Sequence, residues 1–258
     1  MNQSNIKGCI QPNQRGFSLV ELMIAITIGF VIVGAIGYLF IGSRQSFRTT
    51  DAISRIQENA RYALQTFVHD ARMAGNPGCG SVLPATTQPV AGTDFGAGVV
   101  TLGGITQVSG DRIQIIGGAI GDCTYSAGVL MPTVPDTVTY FVGTNPSNGR
   151  SLYRFSAAAG TAVELADNVW DMQVLYLVNG ANAYVSAGSP PAWASVTSAR
   201  INLLMVSADN ALSAPQTYQY FADAAAARTA ITPAVGAADR LRLHQVFTTT
   251  VSLRNRLP

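Results

Sequence analysis

Lysine is almost missing from this sequence. Of 16 basic residues only Lys7 is lysine and the rest are arginine, set against 14 acids for a formal charge of +2. That balance gives no general attraction to polyanions. Charged residues make up 12% of the chain, and with 48% hydrophobic residues, 25 glycines and 12 prolines this excludes a disordered protein or a coiled coil. Histidine occurs twice, at His69 and His244, in no metal-ligand spacing, and both read as polar-surface residues. Cysteine occurs three times, at Cys9, Cys79 and Cys123, without a CxxC pair, so redox chemistry has no motif to stand on. Gly117-Gly118-Ala119-Ile120-Gly121 lacks the Lys-Ser/Thr of a phosphate loop and reads as a turn. These gaps leave no catalytic set, no metal site and no cofactor site, and predict a protein that is not an enzyme.

What the chain does have is a long apolar run. Phe17 to Ile41 is 25 residues with one charge, Glu21. As a helix it covers roughly 37 Å, more than the ~30 Å hydrocarbon core of a bilayer. Lys7 and Arg15 precede it without an acid, as in a cytoplasmic lead-in, but Arg44 and Arg48 follow closely, so positive charge alone does not fix orientation. A cleavable secretory signal ending near Ala35-Ile36-Gly37, with a start near Tyr38, is the plain alternative; its apolar region exceeds the usual length and contains an acid. A carboxylate in hydrocarbon costs about 2.5–3.5 kcal/mol even on the lenient insertion scale, so Glu21 needs a partner. The run holds no Lys, Arg or His. Cleavage after Gly16 would supply the cation, because the new α-amino group of Phe17 lies four residues before Glu21.

Gln14-Arg15-Gly16-Phe17-Ser18-Leu19-Val20-Glu21-Leu22 resembles the processing site of type IV prepilins and of type II secretion pseudopilins. The resemblance implies cleavage between Gly16 and Phe17 by a prepilin peptidase, N-methylation of Phe17, and a part for Glu21 in subunit assembly. Removing residues 1–16 takes Lys7 and Arg15 from the 16 basic residues, leaving 14 against 14 acids. It also removes Cys9, so Cys79 and Cys123 remain as one pair. In an oxidising periplasm they are expected to join, closing a 45-residue loop that the chain-entropy model values at roughly 4 kcal/mol; two free thiols are the alternative.

Beyond Ile41 there is no proline until Pro77, and Ile53, Ile56, Ala60, Ala63, Phe67, Ala71 and Ala74 recur at helical spacing before Gly75-Asn76-Pro77-Gly78 ends the pattern. In the apolar half any local unwinding would rest on Gly34 and Gly37. Strands are predicted at 112–116, 137–142, 151–155, 169–178, 199–207 and 243–253, with 145–149 as a hairpin loop, and the Ala-rich 222–230 as a short helix. The fold expected is α+β, a long N-terminal helix whose second half packs on an antiparallel β-sheet head. Its parts are a leader at 1–16, a transmembrane and polymerisation helix at 17–42, an amphipathic continuation at 43–76 and a β-rich head at 77–258.

Residues 167–174 and 247–255 are similar to PilW-type minor pilins, with the J-type pseudopilin of type II secretion as a near relative. That resemblance implies a structural subunit of the type IV pilus that helps prime or cap assembly, in the service of pilus biogenesis, twitching motility and adhesion. Its partners would be other major and minor pilins through the N-terminal helix, the prepilin peptidase and the inner-membrane assembly platform. It would reside in the bacterial inner membrane with a periplasmic head before entering the fibre at the cell surface. A minor pseudopilin of a type II secretion system is the runner-up role, and a signal-anchored periplasmic or surface binding protein with no polymer role is the competing class. Arg240, Arg242, Arg254 and Arg256 gather charge near the C-terminus without interleaved aromatics, and read as a solvated face or subunit contact rather than a nucleic-acid site.

Overall fold

The computed structural model describes residues 16–76, 88–95, 98–119, 123–126, 129–132, 135–188, 193–221 and 228–253. It forms two compact units, residues 1–47 and 48–258. A single helix, α1 (Leu19–Met73, 55 residues), belongs in part to each. With no proline to remove a backbone donor it runs unbroken through Gly34 and Gly37. It stops where predicted: Gly75 adopts φ 79°, its N–H donates to Ile116 O at 2.8 Å, and the N–H of Asn76 donates to Met73 O at 2.9 Å.

In the first unit the helix is apolar on all sides and exposed. Its most apolar window has a mean hydropathy of 2.6 with none of it buried, so it is long and apolar enough to cross a membrane.

The second unit carries thirteen described strands: β1 (Val90–Thr93), β2 (Thr101–Leu102), β3 (Ile105–Ala119), β4 (Cys123–Ser126), β5 (Val129–Pro132), β6 (Pro135–Thr144), β7 (Arg150–Ser156), β8 (Thr161–Asp167), β9 (Val169–Val178), β10 (Val196–Asn210), β11 (Tyr218–Phe221), β12 (Arg228–Ile231) and β13 (Arg242–Ser252). All pairings are antiparallel. One sheet has the order β1-β3-β6-β7-β8 with β2 on β3; a second has the order β13-β10-β9; β4-β5 and β11-β12 are hairpins. Ile56, Ala60, Ala63, Phe67 and Ala71 of α1, with Ala74 just past its end, form one buried core with inward residues of both large sheets. Four alanines on this stripe let the helix lie close to the strands, while Phe67 meets Tyr140 edge-on, ring centres 5.4 Å apart.

All six predicted strands are present, most of them longer than expected. The loop at 145–149 is the β6–β7 hairpin, closed by the N–H of Asn145 donating to Gly149 O at 2.9 Å, with Asn148 at φ 61°. Residues 247–253 alternate as expected, Thr248, Thr250 and Ser252 outward and Val251 and Leu253 buried. Two expectations are corrected. Residues 228–230 are strand rather than helix, because the β11 ladder overrides alanine's preference; 222–227 lie outside the described residues. Gly117–Ala119 continue β3 rather than forming a turn, and 120–121 lie outside the described residues; at Gly117 an added Cβ would fall 2.2 Å from Met73 O, so glycine serves there to let the strand pass under the helix end.

Candidate assembly site

Gly16, Phe17 and Ser18 precede the first turn of α1, and Phe17 is 85% exposed. The N–H of Leu22 donates to Ser18 O at 3.1 Å, which places Ser18 at the cap and Glu21 three residues on. Ser18 and Glu21 thus hold the Ser-x-x-Glu spacing of a capping box, and the carboxylate lies where the helix dipole favours negative charge. That spacing was available in the sequence as a signal for the helix start. Glu21 is exposed, and among the described residues it enters no ion pair. Further on, Thr27 returns its hydroxyl to the carbonyls of Met23 and Ile24, at 3.1 and 2.8 Å, which removes a polar group from the apolar surface. Arg44 lies over the Phe40 ring at 4.8 Å, where the apolar stretch gives way to charge.

In the head, α1 is fastened by Asp70, whose Oδ2 accepts from the Tyr140 hydroxyl at 2.6 Å and from Arg154 Nε at 2.7 Å. Burial first, and then the Asp70 charge, push the Tyr140 hydroxyl far above its ordinary range. A second acid joins the two large sheets. Asp111 on β3 accepts from the Val174 N–H of β9 at 2.8 Å, and its other oxygen is buried with no hydrogen-bond partner within normal range among the described residues. Burial pushes its carboxyl up to about 7, the Val174 hydrogen bond opposes this, and the charges of Asp94 and Asp171 add to it.

His69 is exposed, as read. His244 is not: it is 2% exposed, stacked on Tyr218 with ring centres 4.5 Å apart, with one ring nitrogen 3.1 Å from Asp239 Oδ2. The loop before β13 folds over it, which no local pattern announces. Arg240 in that loop and Arg242 at the start of β13 are half-buried rather than solvated, while Arg254 and Arg256 lie outside the described residues. Cys79 also lies outside them, as does the side chain of Cys123, so the expected disulfide falls beyond the described residues. Among the described residues no group of three or more His, Cys, Asp or Glu is placed to hold a metal ion.

Two family models match the chain: the prokaryotic N-terminal methylation motif over residues 11–37, and the type IV pilus-assembly protein W over residues 139–255. Together the two matches support a type IV minor pilin. The first match covers Gly16, Phe17 and Glu21, and the second runs from β6 to beyond β13. Among solved structures the minor pilin is similar to a type IV-like pilin from Thermus thermophilus, at 12% identity and a TM-score of 0.41, over 79% of this chain and 98% of that one. No curated protein matches it. The minor pilin is anchored in the inner membrane by its apolar helix with the head on the periplasmic side, and passes from there into the pilus fibre, in association with other pilins and the pilus machinery. The larger match is to a pilus-assembly protein, in keeping with a structural part.

Proposed function

We propose that the minor pilin is cut between Gly16 and Phe17 by the prepilin peptidase, is N-methylated at Phe17, and then enters a priming or tip complex of minor pilins on the assembly platform. The parts are a leader at 1–16, an assembly helix at 17–42, its amphipathic continuation at 43–76 and a head at 77–258. Glu21 carries this reading, as the sole charge of a 25-residue apolar stretch, exposed and without an ion pair among the described residues. Among packed apolar helices an unmatched carboxylate is heavily penalised, and the Phe17 amine of an adjacent subunit, or of the same chain, supplies the match only in the correct register. Methylation leaves that amine cationic and the pairing intact.

The capping geometry offers a plainer role for Glu21, and one substitution separates the two. Glutamine also serves at the third position of a capping box but carries no charge. Glu21→Gln should therefore be processed and membrane-inserted like the wild type yet be lost from sheared pili, as read by immunoblot beside the membrane fraction. Wild-type incorporation of this variant would leave Glu21 as a cap and remove the pairing mechanism.

A further inference from the structure

Within the head, α1 has two unlike flanks. At about 100° per residue Asn59 and Asp70 lie on one side of the buried stripe, and Arg61, Leu64, Val68 and Arg72 on the other. The first side is held to the larger sheet: Asn59 bonds Asp167 of β8, and Asp70 bonds Tyr140 and Arg154. On the second side a cleft of about 700 Å³ runs between the helix and β13. Gln57, Arg61, Leu64, Gln65, Val68 and Arg72 build its helical wall, and Phe247 stands on its strand wall. Leu64, Val68 and Phe247 are half-buried against the core and form an apolar floor, whereas Arg61 and Arg72 are exposed at the rim. Among the described residues no acid lines this cleft, and neither arginine has an ion-pair partner.

The shape selects the form of the occupant. The helical lining extends from Gln57 to Met73, roughly 24 Å along one face of α1, and recurs at three- and four-residue intervals. Rows of that spacing are the ridges and grooves that receive the side chains of a second helix laid along the first. A furrow of this length suits an elongated helix better than a compact small molecule. The charge selects its chemistry: an apolar floor with two unpaired cations on the rim is complementary to an apolar stripe flanked by acids. The α1 of a second copy does not bring one. Within the head it bears only Asp51, Glu58 and Asp70, and of these Asp51 is paired with Arg55 and Asp70 with Arg154. The acids must come from a different chain.

We propose that the cleft between α1 and β13 seats an amphipathic helix of a different pilin, its apolar stripe on Leu64, Val68 and Phe247 and its acids against Arg61 and Arg72. The contact joins unlike subunits, so it adds one neighbour instead of propagating a row of identical heads. The proposal rests on the reading of the chain as a minor pilin in a complex of minor pilins.

The test uses the full-length protein in piliated cells, with the photo-crosslinker benzoylphenylalanine in place of Gln65, an exposed residue of the cleft. Irradiation should link this subunit to another chain that carries an N-terminal methylation motif, and mass spectrometry should place the link in an acid-bearing amphipathic helix of that chain. Arg61→Glu with Arg72→Glu should lower the yield about tenfold, and arginine in place of the acids beside the linked position of the partner should restore it, which also shows that the doubly substituted head is folded. A link to a second copy of this chain, to a strand or loop of another pilin, or to a protein without the motif overturns the proposal. A yield that the arginine changes leave unaltered, or that the partner's reversed charges do not restore, does the same. So does an absent link in protein that sequencing shows to begin at Phe17, and in that case the pilin reading survives. If residues 1–16 are still attached, the pilin reading falls along with the contact.

Discussion

Asp111 is the residue at which burial and charge conflict most openly. Its folded pKa, about 7 against an ordinary 3.8, means that the folded head holds a proton that the unfolded chain has already released across the interval between them. Stability is then greatest at the acid end of that interval, declines as pH rises towards 7, and is level above it. Asp111→Asn keeps an oxygen for the Val174 N–H and removes the titration. Both tryptophans, Trp170 and Trp193, lie in the head, so their fluorescence follows its unfolding. In urea titrations at pH 5 and pH 8 the wild type should show a lower midpoint at the higher pH, and the asparagine variant a smaller difference. An equal difference in both proteins would show that Asp111 does not titrate in this range. The sequence concealed this residue for a physical reason. Gly110-Asp111 has turn composition, so the strand was expected to begin at Arg112; in the fold Gly110 takes φ 68°, packs on the Met172 backbone, and lets β3 run on through a shift of register.

Elements with strong periodicity were legible, and those that depend on a neighbour were not. The stripe from Ile56 to Ala74 and the β-branched runs of β9, β10 and β13 announce which face is buried. By contrast β8 reads Thr-Ala-Val-Glu-Leu-Ala-Asp, mostly helix formers, and becomes a strand only because β7 offers a ladder. The hairpin β11–β12 likewise exists as a cover for the outer face of the three-stranded sheet, where Tyr220 and Phe221 pack on Leu175 and Leu204. The junction of α1 with β3 depends on one position. Gly117→Ala would press a methyl group into the last helical carbonyls, and overpacking of this kind costs about 1–3 kcal/mol. The variant should unfold at correspondingly lower urea with an unchanged slope; a wild-type midpoint would mean that the helix end yields without cost.

At the scale of the whole molecule, the N-terminal methylation motif was legible because its signal is local: a glycine, an aromatic residue and a lone acid at the head of an apolar run. The order of strands was not, since it joins residues far apart in the chain, as when β10 is laid between β9 and β13. The proposed processing step acts on the whole molecule. Gly16→Leu should leave a precursor heavier by sixteen residues on a gel, with the head folded and the protein absent from fibres. Normal cleavage of that variant would place the peptidase's recognition elsewhere.

Asp70 gives the fastening of α1 a mechanical meaning. It lies in the last turn and a half of the helix, and through Tyr140 and Arg154 it grips β6 and β7, the middle of the larger sheet. A subunit pulled by its helix would load these two charge-assisted bonds in shear together with the Phe67 packing, all at once rather than one after another. The head would then hold until the whole cluster yields, instead of peeling away turn by turn.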